Sequence, residues 1–205
     1  MMEGTTAYEL ADYRRRVHEL YAMVRSSKSL EAAWIGWQQE RDVLFKTHPS
    51  SALDEEQQWQ FARLSYFAYD PQYRFSARLE PAPGPLVTIR HSSEGTTHFV
   101  PVGRVSLRDI GIDESLTVYW LDAYGGGMFL PFRDATAGDT TYGGGRYLLD
   151  TVKGADLGRA GNDRVIIDFN YSYHPSGVYS PRWSCPLAPP ENRLQAAIPV
   201  GERLP

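Results

Sequence analysis

The sequence predicts an α+β fold, with an N-terminal helical layer packed on a mainly antiparallel β-sheet that curls into a sandwich or barrel. Three observations predict it. Through residue 65, apolar side chains recur at three- and four-residue steps, the spacing of amphipathic helices. From residue 66 onward they alternate, or run in short stretches between glycine- and proline-rich breaks, as strands and hairpins do. No helix-length segment separates one strand from the next, so parallel crossovers are not expected.

The first helix is predicted to open at Thr6, with Glu9 at capping-box spacing. Leu10, Tyr13, Val17, Leu20, Tyr21 and Val24 then form one stripe. Ser26, Ser27 and Ser29 break it. A second stripe runs through Leu30, Trp34, Trp37 and Leu44, with Arg41 intruding at the helical step, and stops at His48-Pro49. Asp54 to Gln57 opens a third, short helix reaching about Leu64.

Strands follow. Arg74–Glu80 places Phe75, Ala77 and Leu79 on one face. Leu86–His91 with Thr97–Leu107, and Leu116–Ala123 with Met128–Arg133, read as hairpins. The Leu116–Ala123 strand is apolar on both faces, which marks it as central. Arg146–Val152 and Arg164–Tyr173 are further strands. Prolines 175, 181, 186, 189 and 190 exclude the remainder from a central strand, so it is expected to drape over the sheet. The expected organisation is one domain over 1–205: helical layer 1–65, β core 66–173, proline-rich tail 174–205.

Composition excludes several function classes. The 205 residues carry 21 basic and 25 acidic side chains, a net charge of −4, which disfavours general nucleic-acid binding. No apolar run approaches the ~20 residues of a membrane span, and no signal peptide is visible, so a cytoplasmic location is expected. The single cysteine, Cys185, rules out an intrachain disulfide and a cysteine-rich zinc site. His91 and His98 straddle a turn, but no metal motif accompanies them, and no metal or cofactor is implied.

The densest polar and aromatic stretch runs from Phe129 to Asn192. Residues 129–148 read FLPFRDATAGDTTYGGGRYL, residues 167–194 read IDFNYSYHPSGVYSPRWSCPLAPPENRL, and residues 198–202 read IPVGE. Earlier come LFKTHPSSAL at 44–53 and YFAYDPQYRF at 66–75. These phrases resemble domain-of-unknown-function family 1684, a group of uncharacterised, mostly bacterial proteins. The resemblance covers most of the chain from Leu44 and implies kinship without an established activity. The family pattern often has Asn where this chain has His174, and a first cysteine where it has Gly177. A cysteine-pair metal or redox role is therefore not implied.

Read physically, the stretch offers arginines, glycines and a polar strand. Arg133, Arg146, Arg182 and Arg193 suit carboxylates or phosphates if they converge. Alternatively each pairs locally, Arg133 with Asp134 and Arg193 with Glu191. Gly143–Gly145 and Gly125–Gly127 read as turns, because the phosphate-loop spacing is absent. Asp168 and Asn170 share a face if their strand continues, with Arg146 a plausible partner for Asp168. Cys185, His174 and Asp168 are weak candidates for thiol-nucleophile catalysis, and the blander reading of Cys185 is a small buried hydrophobe.

The expected ligand-binding set is Arg133, Tyr142, Arg146, Asp168, Asn170, Tyr173 and Glu191, holding a small polar or anionic metabolite in a pocket of the β core. A hydrolase acting in the same pocket is the enzymatic alternative. The third reading is a structural or partner-interaction protein. In it the polar cluster is a buried network pinning the tail, and Trp34 and Trp37 are exposed anchors. No nucleic acid or membrane partner is expected. The oligomeric state and the reaction, if any, stay open.

Overall fold

The apolar stripes of the first third become helices in the computed structural model, which describes residues 4–205. They are α1 (Gly4–Ser26), α2 (Leu30–Thr47) and α3 (Glu55–Gln60). α1 begins ahead of Thr6, so the Thr6/Glu9 spacing lies within the helix and does not cap it. α2 starts where the Ser29 hydroxyl accepts the Ala32 N–H, and it ends at His48, held extended ahead of Pro49. α3 opens on a reciprocal capping box between Asp54 and Gln57. It stops at Gln60, short of the expected Leu64. No helix among the described residues is long and apolar enough to cross a membrane.

The strands are β1 (Ser65–Tyr66), β2 (Arg74–Arg78), β3 (Glu80–Pro81), β4 (Val87–Arg90), β5 (Thr96–Ser106), β6 (Ser115–Leu121), β7 (Met128–Phe132), β8 (Arg146–Asp150), β9 (Arg164–Asp168) and β10 (Glu202–Arg203). One antiparallel sheet has the order β3-β5-β6-β7-β8, with β4 also on β5. The predicted hairpins are β4–β5 and β6–β7. The sheet stays open, so the barrel alternative is not formed. The outer edge of β8 is occupied instead by Tyr173, which exchanges both backbone hydrogen bonds with Tyr147, and by Ala155, which pairs with Asp150. With those edge groups satisfied, β8 has no partner to seek in β3 or β4.

β6 is the central strand that its two apolar faces predict. Leu116 and Val118 enter one core with Leu130, Phe132 and Leu148, closed over by Ala77, Ile167 and Phe169 of the β2–β9 ribbon and its following turn. Tyr119 points the other way, into a second core with Ile89, Phe99, Phe129 and Tyr147. The helices close a third core around Trp37, Leu20, Tyr21 and Tyr171. Each fully buried Leu, Ile or Phe in these cores contributes about 1.5–3 kcal/mol. Trp37 is fully buried, and the half-buried Trp34 donates its Nε1–H to the Asn170 carbonyl. These tryptophans are therefore not exposed anchors.

β9 ends at Asp168, not at Tyr173. The Asp168 carboxylate accepts the Asn170 N–H and turns the chain into a 3-10 turn over Phe169–Tyr171. The proline-rich tail does lie along the sheet, bridging His91 through Pro186 and Arg133 through Arg193. It is more than a drape, because Asn192, Ile198, Val200 and Glu202 are buried and its end pairs with β1 as β10. Gly201 has a φ of 79°, and a Cβ there would collide with the Ser172 hydroxyl. The backbone packs that closely only with glycine at this position.

Candidate functional site

The sequence-predicted site residues fall into four neighbourhoods. Arg146, on the first residue of β8, is 1% exposed. It reaches Asp134 at 3.3 Å and donates to the carbonyls of Ile198 (2.8 Å), Glu202 (3.2 Å) and Val200. Burial pulls its guanidinium below the ordinary value, with Asp134 the largest opposing influence. The turn ahead of it, closed by Gly145 N–H on the Tyr142 carbonyl, is the turn that the glycine triplet predicts. Gly145 has a φ of 99°, and a Cβ would fall on the Phe132 carbonyl.

Asp168 is not the partner of Arg146. Its carboxylate takes Arg74 at 3.1 Å and the Asn170 side chain at 2.8 Å, and Asn170 in turn clamps the Asp70 backbone. The turn brings Asp168 and Asn170 together, which an extended strand face would not do in this way. Burial pushes the Asp168 carboxyl up despite these bonds. Arg133 and Arg193 bridge through their backbones, and neither pairs with a carboxylate among the described residues. Asp134 serves Arg146 instead, and exposed Glu191 accepts from Tyr119 at 2.6 Å. Arg182 donates to the Ser51 and Leu53 carbonyls, holding the tail to the segment before α3. The four arginines therefore do not converge.

Tyr142, Tyr173 and His174 make the fourth neighbourhood, beside a cavity of about 60 Å³ under the helical layer. Its polar walls come from Tyr13, Tyr21, Arg41, Lys153, Tyr173 and His174, and Val17, Leu20, Leu44 and Phe45 supply apolar surface. Arg41 is the intruder on the α2 stripe. It is 8% exposed, lies 4.7 Å over the Trp37 ring, donates to the Tyr66 hydroxyl at 2.7 Å and pairs with Glu202 at 2.8 Å. Lys153, half-exposed, is held from behind by Asp150 at 3.2 Å. Burial is the largest single influence and works against its charge, but Asp150, together with Cys185 and Tyr13, holds the ammonium above its ordinary value. The buried Tyr21 hydroxyl has no acceptor for its proton, and the Trp37 indole N–H beside it lies outside good hydrogen-bond geometry. Burial outweighs the pull of Arg41 and Trp37 and pushes the phenol up, which keeps it neutral and able to donate.

Behind the cavity runs a relay from Arg41 through Glu202 to His174. Burial raises the Glu202 carboxyl, but Arg41 and then His174 hold it below its ordinary value. His174 Nε2 accepts the Tyr142 N–H at 3.2 Å, so the neutral ring carries its proton on Nδ1, facing Glu202 Oε1 at 3.7 Å. With Nε2 occupied, His174 has no lone pair free to activate a nucleophile. Cys185 makes no hydrogen bond to it, and the cysteine backbone is pinned to Ser92 on both sides. Among the described residues no group of three or more His, Cys, Asp or Glu side chains could hold a metal ion.

The cavity residues Tyr13, Tyr21, Arg41 and Lys153 were absent from the sequence-based site. Arg41 had a signal, a charge on an apolar helical stripe, which has to find a buried partner. Glu202, its partner, lies in the IPVGE phrase.

Comparison with known proteins places the chain. It is similar to a solution NMR structure, the uncharacterized protein from gene locus rrnAC0354 of Haloarcula marismortui, with a TM-score of 0.61 and 32% identity over 89% of this chain and 98% of that one. No curated protein matches. Residues 59–203 match the model of the family described as Protein of unknown function (DUF1684), a span that takes in Lys153, His174 and Glu202 and leaves α1 and α2 ahead of it. The chain therefore belongs to the DUF1684 family.

Proposed function

We propose that the protein binds a small polar or anionic ligand in the cavity between the helical layer and the β core. One observation carries this reading: the charged side chains lining the cavity are the cations Arg41 and Lys153, and the buried Tyr21 hydroxyl beside them has no acceptor for its O–H. Each cation is anchored from behind by one carboxylate, Glu202 or Asp150, so its position is set before a ligand arrives. An oxygen-bearing anion would meet cationic donors, a neutral phenol and no lining carboxylate. Of the residues expected from sequence, Tyr173 lines this cavity and Tyr142 orients His174 beside it. The hydrolase alternative finds no support, because the Tyr142 N–H takes the His174 Nε2 lone pair and Cys185 makes no hydrogen bond to the ring. The structural alternative is favoured for the Arg146 cluster, whose hydrogen bonds run to the C-terminal segment, and for Arg182, which ties the tail to Ser51 and Leu53.

The test is a thermal-shift panel of small carboxylates, phosphate and neutral polyols against the native protein and Lys153→Met. A ligand at 100 times its Kd stabilises by about 2.7 kcal/mol, which raises Tm by roughly 5–11 °C in a chain of this size. An anion should give that shift in the native protein and lose most of it in Lys153→Met. Equal shifts in both proteins, or no shift from any anion, refute the reading.

A further inference from the structure

A second cavity of about 170 Å³ lies on the far side of Lys153. Phe99, Leu121, Phe129, Tyr147, Val152 and Pro186 give it apolar walls. Its charged lining is Asp150 and Lys153, which are paired with each other. Lys153 lines both cavities, and its ammonium sits 5.6 Å over the Tyr147 ring. Tyr147 walls the second cavity and Tyr173 the first, and their rings meet edge to face at 5.8 Å. A small space with cationic donors and a larger apolar one therefore adjoin at the Lys153 side chain, beside the tyrosine pair. Resting on the ligand-binding reading above, we infer that the ligand is a monocarboxylate with an alkyl or aryl body. Its carboxylate sits between Arg41 and Lys153, and its apolar body fills the second cavity.

The volumes favour this division. The first cavity, at about 60 Å³, has room for a carboxylate group and little more. A cavity of about 150 Å³ lined by Leu, Ile and Phe accepts benzene, so the second has room for one aromatic ring or a chain of similar bulk. A guanidinium has five N–H donors, and a carboxylate oxygen can take one that Tyr66 and Glu202 leave over on Arg41. Lys153 need not leave Asp150 to take part, since an ammonium has three donors and Asp150 engages it through one carboxylate oxygen. The aromatic walls supply affinity by desolvation, and the two cations orient the head.

The experiment measures Kd by NMR titration for propanoate, butanoate, pentanoate, hexanoate and benzoate. It uses the native protein, Val152→Trp, and Leu121→Trp as a second filling variant. Val152 and Leu121 line the second cavity and not the first. In the native protein, affinity should rise about fourfold per added methylene. In whichever filling variant keeps the native Tm, the series should flatten while propanoate affinity stays unchanged. A flat native series with propanoate still bound overturns this inference and leaves the anion site standing. Affinity that grows equally in native and filling variants also overturns it. Binding of no carboxylate, together with no response to phosphate, removes the anion site itself.

Discussion

Arg146→Met tests whether the Arg146 cluster is the clasp that holds the C-terminal segment on the sheet. The Arg146 side chain is 1% exposed and that of Asp134 2%. Methionine keeps much of the apolar stem and removes the charge, together with the guanidinium's contact over the Phe132 ring. Asp134 is left buried without its cation, and the carbonyls of Ile198, Val200 and Glu202 each lose a charged donor. Breaking a buried pair from one side costs about 3–5 kcal/mol. Asp134 keeps the Ile198 N–H and the Thr136 hydroxyl, which holds the loss near 3–4 kcal/mol. At about 2–4 °C per kcal/mol, Tm should fall by roughly 6–16 °C. Because three of the lost bonds reach the tail, trypsin should cut after Arg193 in the variant under conditions where the native protein is spared. Adding Asp134→Asn should cost less than it does alone, with a coupling of about 1–3 kcal/mol by urea unfolding. A Tm change below ~2 °C with unchanged cleavage, or strict additivity in the cycle, would refute the clasp.

Two further expectations concern Glu202 and Cys185. A carboxyl depressed on folding, as Glu202 is, contributes stability above its unfolded pKa of ~4.3 and loses it as pH falls through the folded value. The native urea midpoint should therefore drop more between pH ~5.5 and ~3.5 than that of Glu202→Gln, and an equal or steeper drop in the variant sinks the assignment. Buried Cys185, with its backbone tied to Ser92, should alkylate far more slowly in the native protein than in urea at neutral pH. Comparable rates in the two conditions would reopen thiol chemistry.

Element type was legible because periodicity is local. The α2 stripe, its stop at His48-Pro49, the Asp54 capping box and the glycine turns before β7 and β8 each follow from a few neighbouring residues. The errors come where a side chain competes with the backbone over a short range. Asp168 bonds the amide two residues on, and so ends a strand that β-propensity alone extends to Tyr173.

The candidate site divides along the same line. Local sequence carries the family, the helical layer, the antiparallel hairpins, and the charges set among apolar or glycine neighbours: Arg41 on an apolar stripe, Arg146 after a glycine turn, Asp168 beside Ile167. Tertiary structure decided which partners they find. Arg41 meets Glu202 across 161 positions of chain, Arg146 meets three carbonyls of the last residues, and Asp168 meets Arg74. It also decided that Tyr21, Arg41, Lys153 and Tyr173 share one cavity. The physical reason is that a buried charge specifies only that a partner is needed, because an unpaired one costs several kcal/mol. Which of several arginines and carboxylates comes within hydrogen-bond distance depends on how the cores pack, and sequence spacing carries no record of that.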